Sequence, residues 1–259
     1  MVVDISRLHR EGEGLMSDER IVADHAQGVV HDPMRTPGLD ALWFDAAFWR
    51  GRGVLVGMAG GRGGVFVVAT PVGPAVLRHY RRGGSVARLL GDRYLWTRQA
   101  SVRSVVEYRL LKQLFKAGLP VPEPLGGRWQ RDGLYYRADL LTRQVPGGRP
   151  LSADLEASLS DMDLAGRIGE CIGRFHALGV FHADLNAHNI LLDETGSIAL
   201  IDLDRGAILP PRTAWQQANL RRLHRSLAKL DPGDGRMPAW QRDWWGHLLA
   251  AHARVLAAS

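Results

Sequence analysis

The stretch His182-Ala183-Asp184-Leu185-Asn186-Ala187-His188-Asn189 decides the fold of this chain, together with Ile201-Asp202-Leu203-Asp204. Two apolar runs, Leu191-Leu192 and Ile198-Ala199-Leu200-Ile201, separate these stretches and flank the turn Asp193-Glu194-Thr195-Gly196. Short apolar runs on either side of a polar turn indicate a β-hairpin. The sequence therefore predicts a hairpin that presents Asn189 and Asp202 at neighbouring ends.

Three polar residues around this hairpin have the spacing that phosphoryl transfer from ATP requires. Asp184 and Asn189 lie five positions apart, and Asp202 follows thirteen residues after Asn189. In the protein-kinase signature, the first Asp accepts the hydroxyl proton, and the Asn and the later Asp hold magnesium ions. The pattern predicts Asp184 as the catalytic base and Asn189 and Asp202 as ligands of Mg²⁺, with His182 bracing the loop. The structural alternative is that Asp184 caps a helix and Asn189 lies in a turn.

A glycine run, 57–64, lies between two predicted strands upstream of these residues. Glycines let backbone N–H groups approach phosphate oxygens closely. The run is not a Walker A loop, because no Gly-Lys-Ser/Thr follows and the next element is a strand. Gly61 and Gly63 are the predicted nucleotide contacts, and a simple glycine-rich turn is the alternative.

A cation on the third strand and a glutamate on the next helix complete the kinase pattern. The third strand ends in Ala75-Val76-Leu77-Arg78, and no lysine occurs in it. Arg78 is therefore the predicted contact to the α- and β-phosphates, with Glu107 as its partner on a predicted helix, 101–117. A surface arginine beside a surface glutamate is the alternative.

The order of the predicted elements indicates an α+β, two-lobed, protein-kinase-like fold. Strands at 54–57, 65–68, 75–80, 128–129 and 135–142, with the one helix at 101–117, predict a β-rich N-terminal lobe over residues 1–145. Helices at 164–178, 213–230 and 238–257 around the hairpin predict a mostly helical C-terminal lobe over residues 146–259. Residues 1–50 show only weak periodicity.

The positive charge of the chain is concentrated in one segment. The net charge is +6, and residues 78–109 alone carry eight arginines against two acids, interleaved with four aromatic residues: Tyr80, Tyr94, Trp96 and Tyr108. Such a segment suits nucleic acid, an anionic membrane or a phosphorylated substrate. An arginine-rich composition without function is the alternative for any single arginine.

Composition limits the remaining classes. The single cysteine, Cys171, excludes an intrachain disulfide and fits a reducing compartment. Cys171, His176 and His182 lack the second ligand pair that a structural metal site needs. No apolar run reaches the length of a membrane span, and the N-terminus lacks a signal-peptide core. We expect a soluble or peripheral protein.

With these residues in place, the sequence resembles the bacterial 3-deoxy-D-manno-octulosonic acid (Kdo) kinases, relatives of the lipopolysaccharide core heptose kinases. The resemblance covers roughly residues 57–205. Besides the stretch around Asp184, the segments that carry it are 77–84, 107–111, 138–142 and 201–206. An arginine in place of the usual kinase lysine belongs to this resemblance, and Leu203 stands where Phe is more usual.

The resemblance implies transfer of the ATP γ-phosphoryl group to the 4-hydroxyl of Kdo on a lipid A precursor. It implies ATP and Mg²⁺ as cofactors and a lipid-linked Kdo glycolipid as partner. It also implies a peripheral position at the cytoplasmic face of the bacterial inner membrane, and the basic segment fits an anionic membrane. We expect no nucleic acid partner. Alternatives are a kinase for a core heptose, a small molecule or a protein, and a pseudokinase-like binding module without catalysis.

Overall fold

The computed structural model describes residues 18–57, 65–81, 91–210, 212–231 and 239–259. Contacts between Cα atoms divide this part of the chain into two compact units. The first comprises residues 18–113 and 122–144, and the second comprises residues 114–121 and 145–259. The mixture of a β-rich unit and a helix-rich unit confirms the predicted α+β, protein-kinase-like class.

The first unit is built on one antiparallel sheet in the order β1-β2-β7-β8-β5-β4-β3, with β6 paired to β8. The strands are β1 (Arg20–Ala23), β2 (Gln27–His31), β3 (Leu55–Gly57), β4 (Val65–Thr70), β5 (Gly73–His79), β6 (Tyr94–Leu95), β7 (Pro124–Asp132) and β8 (Tyr135–Arg143). The helices are α1 (Ala46–Gly51) and α2 (Arg103–Lys116), whose last three residues belong to the second unit, with short 3-10 helices at Ala41–Phe44 and Gln99–Ser101. β3, β4, β5, β7 and β8 confirm the predicted strands at 54–57, 65–68, 75–80, 128–129 and 135–142, whereas β6 was not predicted.

The weakly periodic N-terminal region contributes structure that the sequence did not predict. Trp43, Phe44 and Trp49 are buried in a core cluster with side chains of β2, β4, β5, β7 and β8. The indole N–H of Trp49 donates to the carbonyl oxygen of Trp43 at 2.7 Å. Aspartates begin both short helices, since Asp40 and Asp45 accept hydrogen bonds from backbone N–H groups two residues ahead. These local signals are polar caps and aromatic residues rather than a repeating pattern.

Helix α2 has the predicted position but a narrower buried face. Val105, Leu111 and Leu114 are almost completely buried, whereas Val106 is 41% exposed. Val106 lies 100° around the helix from Val105 and is outside the buried face. At the start of α2, the hydroxyl of Ser104 donates to the carbonyl oxygen of Arg128 at 2.8 Å, which ties the helix to β7.

The second unit surrounds the predicted hairpin with helices. Its helices are α3 (Leu155–Ser160), α4 (Met162–Ala177), α5 (Thr213–Leu230) and α6 (Ala239–Ala257), with a 3-10 helix at Leu151–Asp154. Its strands are β9 (Arg149–Pro150), β10 (Val180–Phe181), β11 (Ile190–Leu192), β12 (Ile198–Leu200) and β13 (Ala207–Ile208). β11 and β12 pair antiparallel, which confirms the hairpin, and one carboxylate oxygen of Asp193 accepts the N–H groups of Thr195 and Ser197 across the turn.

Helices α4 and α6 pack closely because glycines face the contact. A Cβ added to Gly169 would lie 2.2 Å from the carbonyl oxygen of Leu248, and one added to Gly173 would lie 2.8 Å from Cβ of Val255. On α6, Trp240, Trp244 and Leu248 are buried in the core. In the described part of the chain, no helix has the length and apolarity of a membrane span.

We predict that Gly169→Ala destabilises the second unit by about 1–3 kcal/mol, because its Cβ would collide with a backbone oxygen that cannot rotate away. Gly166→Ala, on the same helix with open space around it, is the matched control. It should raise stability by about 0.4–1 kcal/mol, since alanine restricts the unfolded chain. Urea unfolding followed by circular dichroism measures both, and equal midpoints for the two variants would contradict the close packing.

Candidate active site

The predicted catalytic loop, 182–189, connects β10 to β11 and is held by its own side chains. The side-chain amides of Asn186 and Asn189 both donate to the carbonyl oxygen of Asp184, at 3.0 and 2.9 Å. The N–H of Asn189 also donates to the carbonyl oxygen of Asn186 at 3.1 Å. The five-residue spacing of Asp184 and Asn189 thus corresponds to a closed turn in which the two residues are in direct contact.

The end of β12 brings Asp202 beside the same loop. The N–H of Ile201 donates to the carbonyl oxygen of Asn189 at 3.0 Å, and the ring of His182 contacts the carbonyl oxygen of Ile201 at 2.9 Å. Asp202 follows with a φ of 58°, a conformation that residues other than glycine adopt rarely. Such outliers concentrate at functional sites, where surrounding contacts compensate for the strain.

His182 braces the loop as expected. Its Nδ1 accepts the N–H of Asp184 at 3.2 Å, so its Nε2 carries the proton that is donated to Ile201. Burial lowers the pKa of His182, which favours this neutral form. The ring therefore fixes the distance between the start of the loop and the residue before Asp202, and both of its nitrogens are already occupied.

Helix α5 supports the loop through residues that the sequence did not single out. Asn219 accepts the N–H of His182 and donates to its carbonyl oxygen, at 3.1 and 2.9 Å, and Ser226 accepts the N–H of Ala187 at 3.2 Å. Arg222 forms an ion pair with Asp184, with 2.9 Å between Nη1 and Oδ1. Asn219, Arg222 and Ser226 are spaced three and four residues apart, which places them on one helix face. This spacing was the only signal in the sequence for their contacts to the loop.

The ion pair of Arg222 and Asp184 leaves the carboxylate accessible. The two side chains are 47% and 49% exposed, so the pair itself adds little to stability. One carboxylate oxygen is bound by the guanidinium, and the other is available to accept a hydrogen bond from a hydroxyl group. A loop aspartate that is oriented but open to solvent can serve as an acceptor of a substrate proton.

Asn189 and Asp202 offer oxygen ligands of the kind that Mg²⁺ prefers. The amide nitrogen of Asn189 is committed to the Asp184 carbonyl, so its amide oxygen is the atom available to a cation. Mg²⁺ usually takes one or two protein oxygens and fills its other positions with phosphate oxygens and water. Across residues 18–57, 65–81, 91–210, 212–231 and 239–259, no cluster of three His, Cys, Asp or Glu side chains forms another metal site.

In the first unit, Arg78 and Glu107 form the predicted pair. Arg78 Nη2 lies 2.5 Å from Glu107 Oε2, and the hydroxyl of Tyr80 donates to the same oxygen at 2.5 Å. Glu107 is only 2% exposed, whereas Arg78 is 22% exposed and its guanidinium lies over the Tyr80 ring. The buried carboxylate orients the arginine while part of the guanidinium reaches solvent. Gly61 and Gly63, the predicted phosphate contacts, lie outside the described residues.

A second charged network lies beside Arg78 on β5. The ring nitrogens of His79 contact Asp139 at 2.7 Å and Asp92 at 2.9 Å. Arg128 also binds Asp139, and Arg137 binds Asp92. The hydrogen bond to Asp139 raises the pKa of His79, and Asp92 adds to the effect. The ring links the end of β5 to β8 and to Asp92, two residues before β6.

The basic segment is less open than its composition indicated. Tyr80, Tyr94 and Tyr108 are buried, so three of its four aromatic rings are not available as a receiving surface. Arg103 lies over the rings of Tyr80 and Tyr94, and Arg109 binds Glu19 through two nitrogens. Arg103 and Arg109 are therefore engaged within the first unit, where Arg109 neutralises a carboxylate and Arg103 stacks on aromatic rings.

Comparison with known proteins agrees with this arrangement. Residues 46–251 match the sequence profile of the lipopolysaccharide kinase (Kdo/WaaP) family. The chain belongs to this family. Two similar proteins come from Xanthomonas axonopodis pv. citri (strain 306), 45% identical over 208 residues, and Xylella fastidiosa (strain 9a5c), 43% identical over 221 residues. The first alignment covers 78% of this chain and 80% of the relative, and the second covers 85% and 88%. Both relatives carry the name 3-deoxy-D-manno-octulosonic acid kinase.

Membership of the Kdo/WaaP family confirms the predicted resemblance and the kinase class, which implies the use of ATP. The catalytic, metal-binding and nucleotide-binding roles of individual residues stay predictions. All of the described candidate residues lie within the matched range, from Arg78 to Asp202.

The His79 network should make the stability of the first unit depend on pH. A histidine with a raised pKa contributes its full stabilisation below its unfolded pKa, near 6.5, and loses it as the pH rises through the folded value. We predict that His79→Gln lowers the free energy of unfolding most below about pH 6.5, and that the difference shrinks at higher pH. Urea unfolding between pH 5.5 and 9 measures this dependence. A cost of His79→Gln that does not change with pH would contradict the charged network.

Proposed function

We propose that this chain transfers the γ-phosphoryl group of ATP to the 4-hydroxyl of a Kdo sugar on a lipid A precursor, a step of lipopolysaccharide inner-core synthesis. The observation that carries the proposal is the contact of Asn189 with the Asp184 carbonyl, which holds a candidate base and a candidate metal ligand in one rigid turn. The names of the relatives from Xanthomonas and Xylella support Kdo as the acceptor.

In the proposed reaction, Asp184 accepts the proton of the acceptor hydroxyl. As the hydroxyl oxygen forms its bond to the γ-phosphorus, the bond from that phosphorus to the β-phosphate oxygen breaks, and ADP leaves. Arg222 binds one carboxylate oxygen of Asp184, and the other oxygen accepts the proton of the hydroxyl group. The buried ring of His182 keeps the loop in place without taking a proton, since both of its nitrogens are engaged.

We assign the nucleotide contacts to two sets of candidate residues, one that binds the metal ion and one that binds the phosphates directly. Asn189 and Asp202 would hold Mg²⁺, which supplies positive charge to the transferred phosphoryl group. Arg78, oriented by Glu107, would contact the α- and β-phosphates, and an arginine can bind two phosphate oxygens at once where lysine offers a point charge. Gly61 and Gly63 remain the candidates for backbone contacts to phosphate.

We also propose that the enzyme is peripheral at the cytoplasmic face of the inner membrane, because its acceptor is a lipid. Support comes from the net charge of +6, which favours an anionic surface. Three arginines of the basic segment are less suited to contact the membrane, because ion pairs or aromatic rings of the first unit hold them. These are Arg78, Arg103 and Arg109.

The direct test incubates the purified protein with ATP, Mg²⁺ and one of three acceptors: lipid-linked Kdo, a heptosylated core acceptor or a generic protein. We expect one added phosphate on lipid-linked Kdo by mass spectrometry, with phosphorus NMR assigning it to the 4-hydroxyl. If the phosphate is found on the heptose or on the protein instead, Kdo is not the acceptor and the proposal is wrong.

Asp184→Asn should lower the rate of transfer by roughly 10²–10⁴-fold, the usual contribution of a general base, while the fold is retained. The substitution keeps the shape of the side chain but removes its ability to take the proton. Asp163→Asn is the control, because Asp163 is an exposed carboxylate that pairs with Arg167 on the same helix. A rate for Asp184→Asn within about threefold of wild type would exclude Asp184 as the base.

Glu107→Gln should raise the KM for ATP roughly tenfold or more, because it removes the charged partner of a proposed phosphate contact. Tyr80→Phe is the matched control, since it removes the other hydrogen bond to the same carboxylate and leaves the ion pair of Arg78 and Glu107 intact. We expect its KM within about threefold of wild type. Equal effects of the two variants on KM and on melting temperature would indicate that Glu107 only stabilises the fold.

A further inference from the structure

A cavity outside the candidate active site lies along helices α5 and α6 of the second unit. Its volume is about 820 Å³, which is within the range of small-molecule and lipid sites. Its apolar lining includes Leu220, Trp245, Leu249 and Leu256. Leu249 is 38% exposed, so apolar surface in this groove faces solvent in the described structure.

The charge of the groove has one sign. Arg221 and Arg225, four positions apart on α5, line it, and none of its described lining residues is an Asp or a Glu. In the part of the chain that the structure describes, neither arginine forms an ion pair, whereas Arg222 between them binds Asp184. Two cations beside an apolar groove complement a ligand that joins an anionic group to an apolar chain.

The length of the groove fits a single acyl chain. Trp245 and Leu256 lie eleven residues apart on α6, which corresponds to about 16 Å at 1.5 Å per residue. One leaflet of a bilayer has a hydrocarbon thickness of about 15 Å, half of the roughly 30 Å core. Both arginines lie in the second half of the lining stretch of α5, so a charged group bound there leaves the rest of the groove for the chain.

We propose that the groove between α5 and α6 binds a membrane phospholipid through its phosphate and one of its acyl chains. The acyl chain packs against Trp245, Leu249 and Leu256, and the phosphate binds Arg221 and Arg225. A second copy of this chain is a poorer occupant, because a protein with a net charge of +6 would meet two unpaired arginines with charge of the same sign.

Helix α5 connects this groove to the candidate active site. Asn219, Arg222 and Ser226 contact the catalytic loop from one face of the helix, and Leu220, Arg221 and Arg225 line the groove from the adjacent face. A lipid bound in the groove therefore lies against the same helix that orients Asp184. If the proposed function is correct, the groove holds a lipid beside the site that phosphorylates a lipid-linked sugar; the binding itself requires no catalysis.

Binding is tested by isothermal titration calorimetry with dodecyl phosphate below its micellar concentration, without ATP. Inorganic phosphate and the uncharged dodecyl maltoside are the comparison ligands. We expect saturable binding of dodecyl phosphate at one site and at least tenfold weaker binding of each comparison ligand. Equal affinity for the uncharged amphiphile, or for inorganic phosphate alone, would overturn the proposal that the groove recognises a phosphate and an apolar chain together.

Two variants locate the site. Arg221→Gln combined with Arg225→Gln should weaken dodecyl phosphate binding at least tenfold, and Ala253→Trp should weaken it by filling the groove. Arg242→Gln, at an exposed arginine of α6 that does not line the groove, is the charge-matched control and should bind as wild type does. Unchanged binding in the double variant with an unchanged melting temperature would exclude this groove.

The source of the ligand and the competing occupants are separated by two further measurements. Sedimentation with vesicles of phosphatidylcholine containing phosphatidic acid should retain wild type more than the double variant, and pure phosphatidylcholine should retain neither. Analytical ultracentrifugation without lipid should show a monomer. A dimer that the Ala253→Trp variant disrupts, with no saturable lipid binding, would assign the groove to a second copy and overturn the proposal.

Discussion

The carbonyl oxygen of Asp184 accepts two side-chain amides, and the candidate active site depends on that double contact. Without the bonds from Asn186 and Asn189, the loop would present its carboxylate on a flexible turn. With them, the same interaction that fixes the backbone of the candidate base also fixes which atom of Asn189 is open to a cation. Because both amides are bound to this one carbonyl oxygen, another shape of the loop would have to break both hydrogen bonds. The same two hydrogen bonds therefore set the backbone of residues 182–189 and the positions of the groups proposed for catalysis.

The sequence predicted the parts of this site that are local in the chain. The spacing of Asp184 and Asn189 and the apolar runs around 193–196 describe a turn and a hairpin whose contacts lie within about a dozen residues. Helix α5 was predicted as an element, but its contacts to the loop were not, because they join residues 37–39 positions apart. Helical periodicity shows which face of a helix is polar; it does not show what that face touches. The first strands of the chain were missed for a different reason, since β1 is four residues long and exposed throughout.

The arginine-rich segment shows the limit of counting charges. The pairing of Arg78 with Glu107 followed from the kinase pattern. However, composition cannot distinguish an arginine that faces solvent from one that neutralises a carboxylate inside the fold. Arg109 binds Glu19, which lies 90 positions away in the sequence, and Arg128 binds Asp139, its cross-strand partner on β8. Such pairs involve planar, several-donor contacts that arginine makes and lysine does not. The predominance of arginine over lysine therefore reflects, in part, how the sheet and α2 are held together.

The same reasoning separates two kinds of cation on helix α5. Arg222 has a carboxylate partner and lies on the face that contacts the loop, so its position follows from the active site. Arg221 and Arg225 lie on the next face, beside apolar side chains and without an acidic residue among the lining groups. A charged residue beside a solvent-accessible apolar groove gains nothing from the groove itself, because burial of its charge is costly without a partner. Two such residues four positions apart are therefore better explained by an anion that the described chain does not supply than by the packing of the fold.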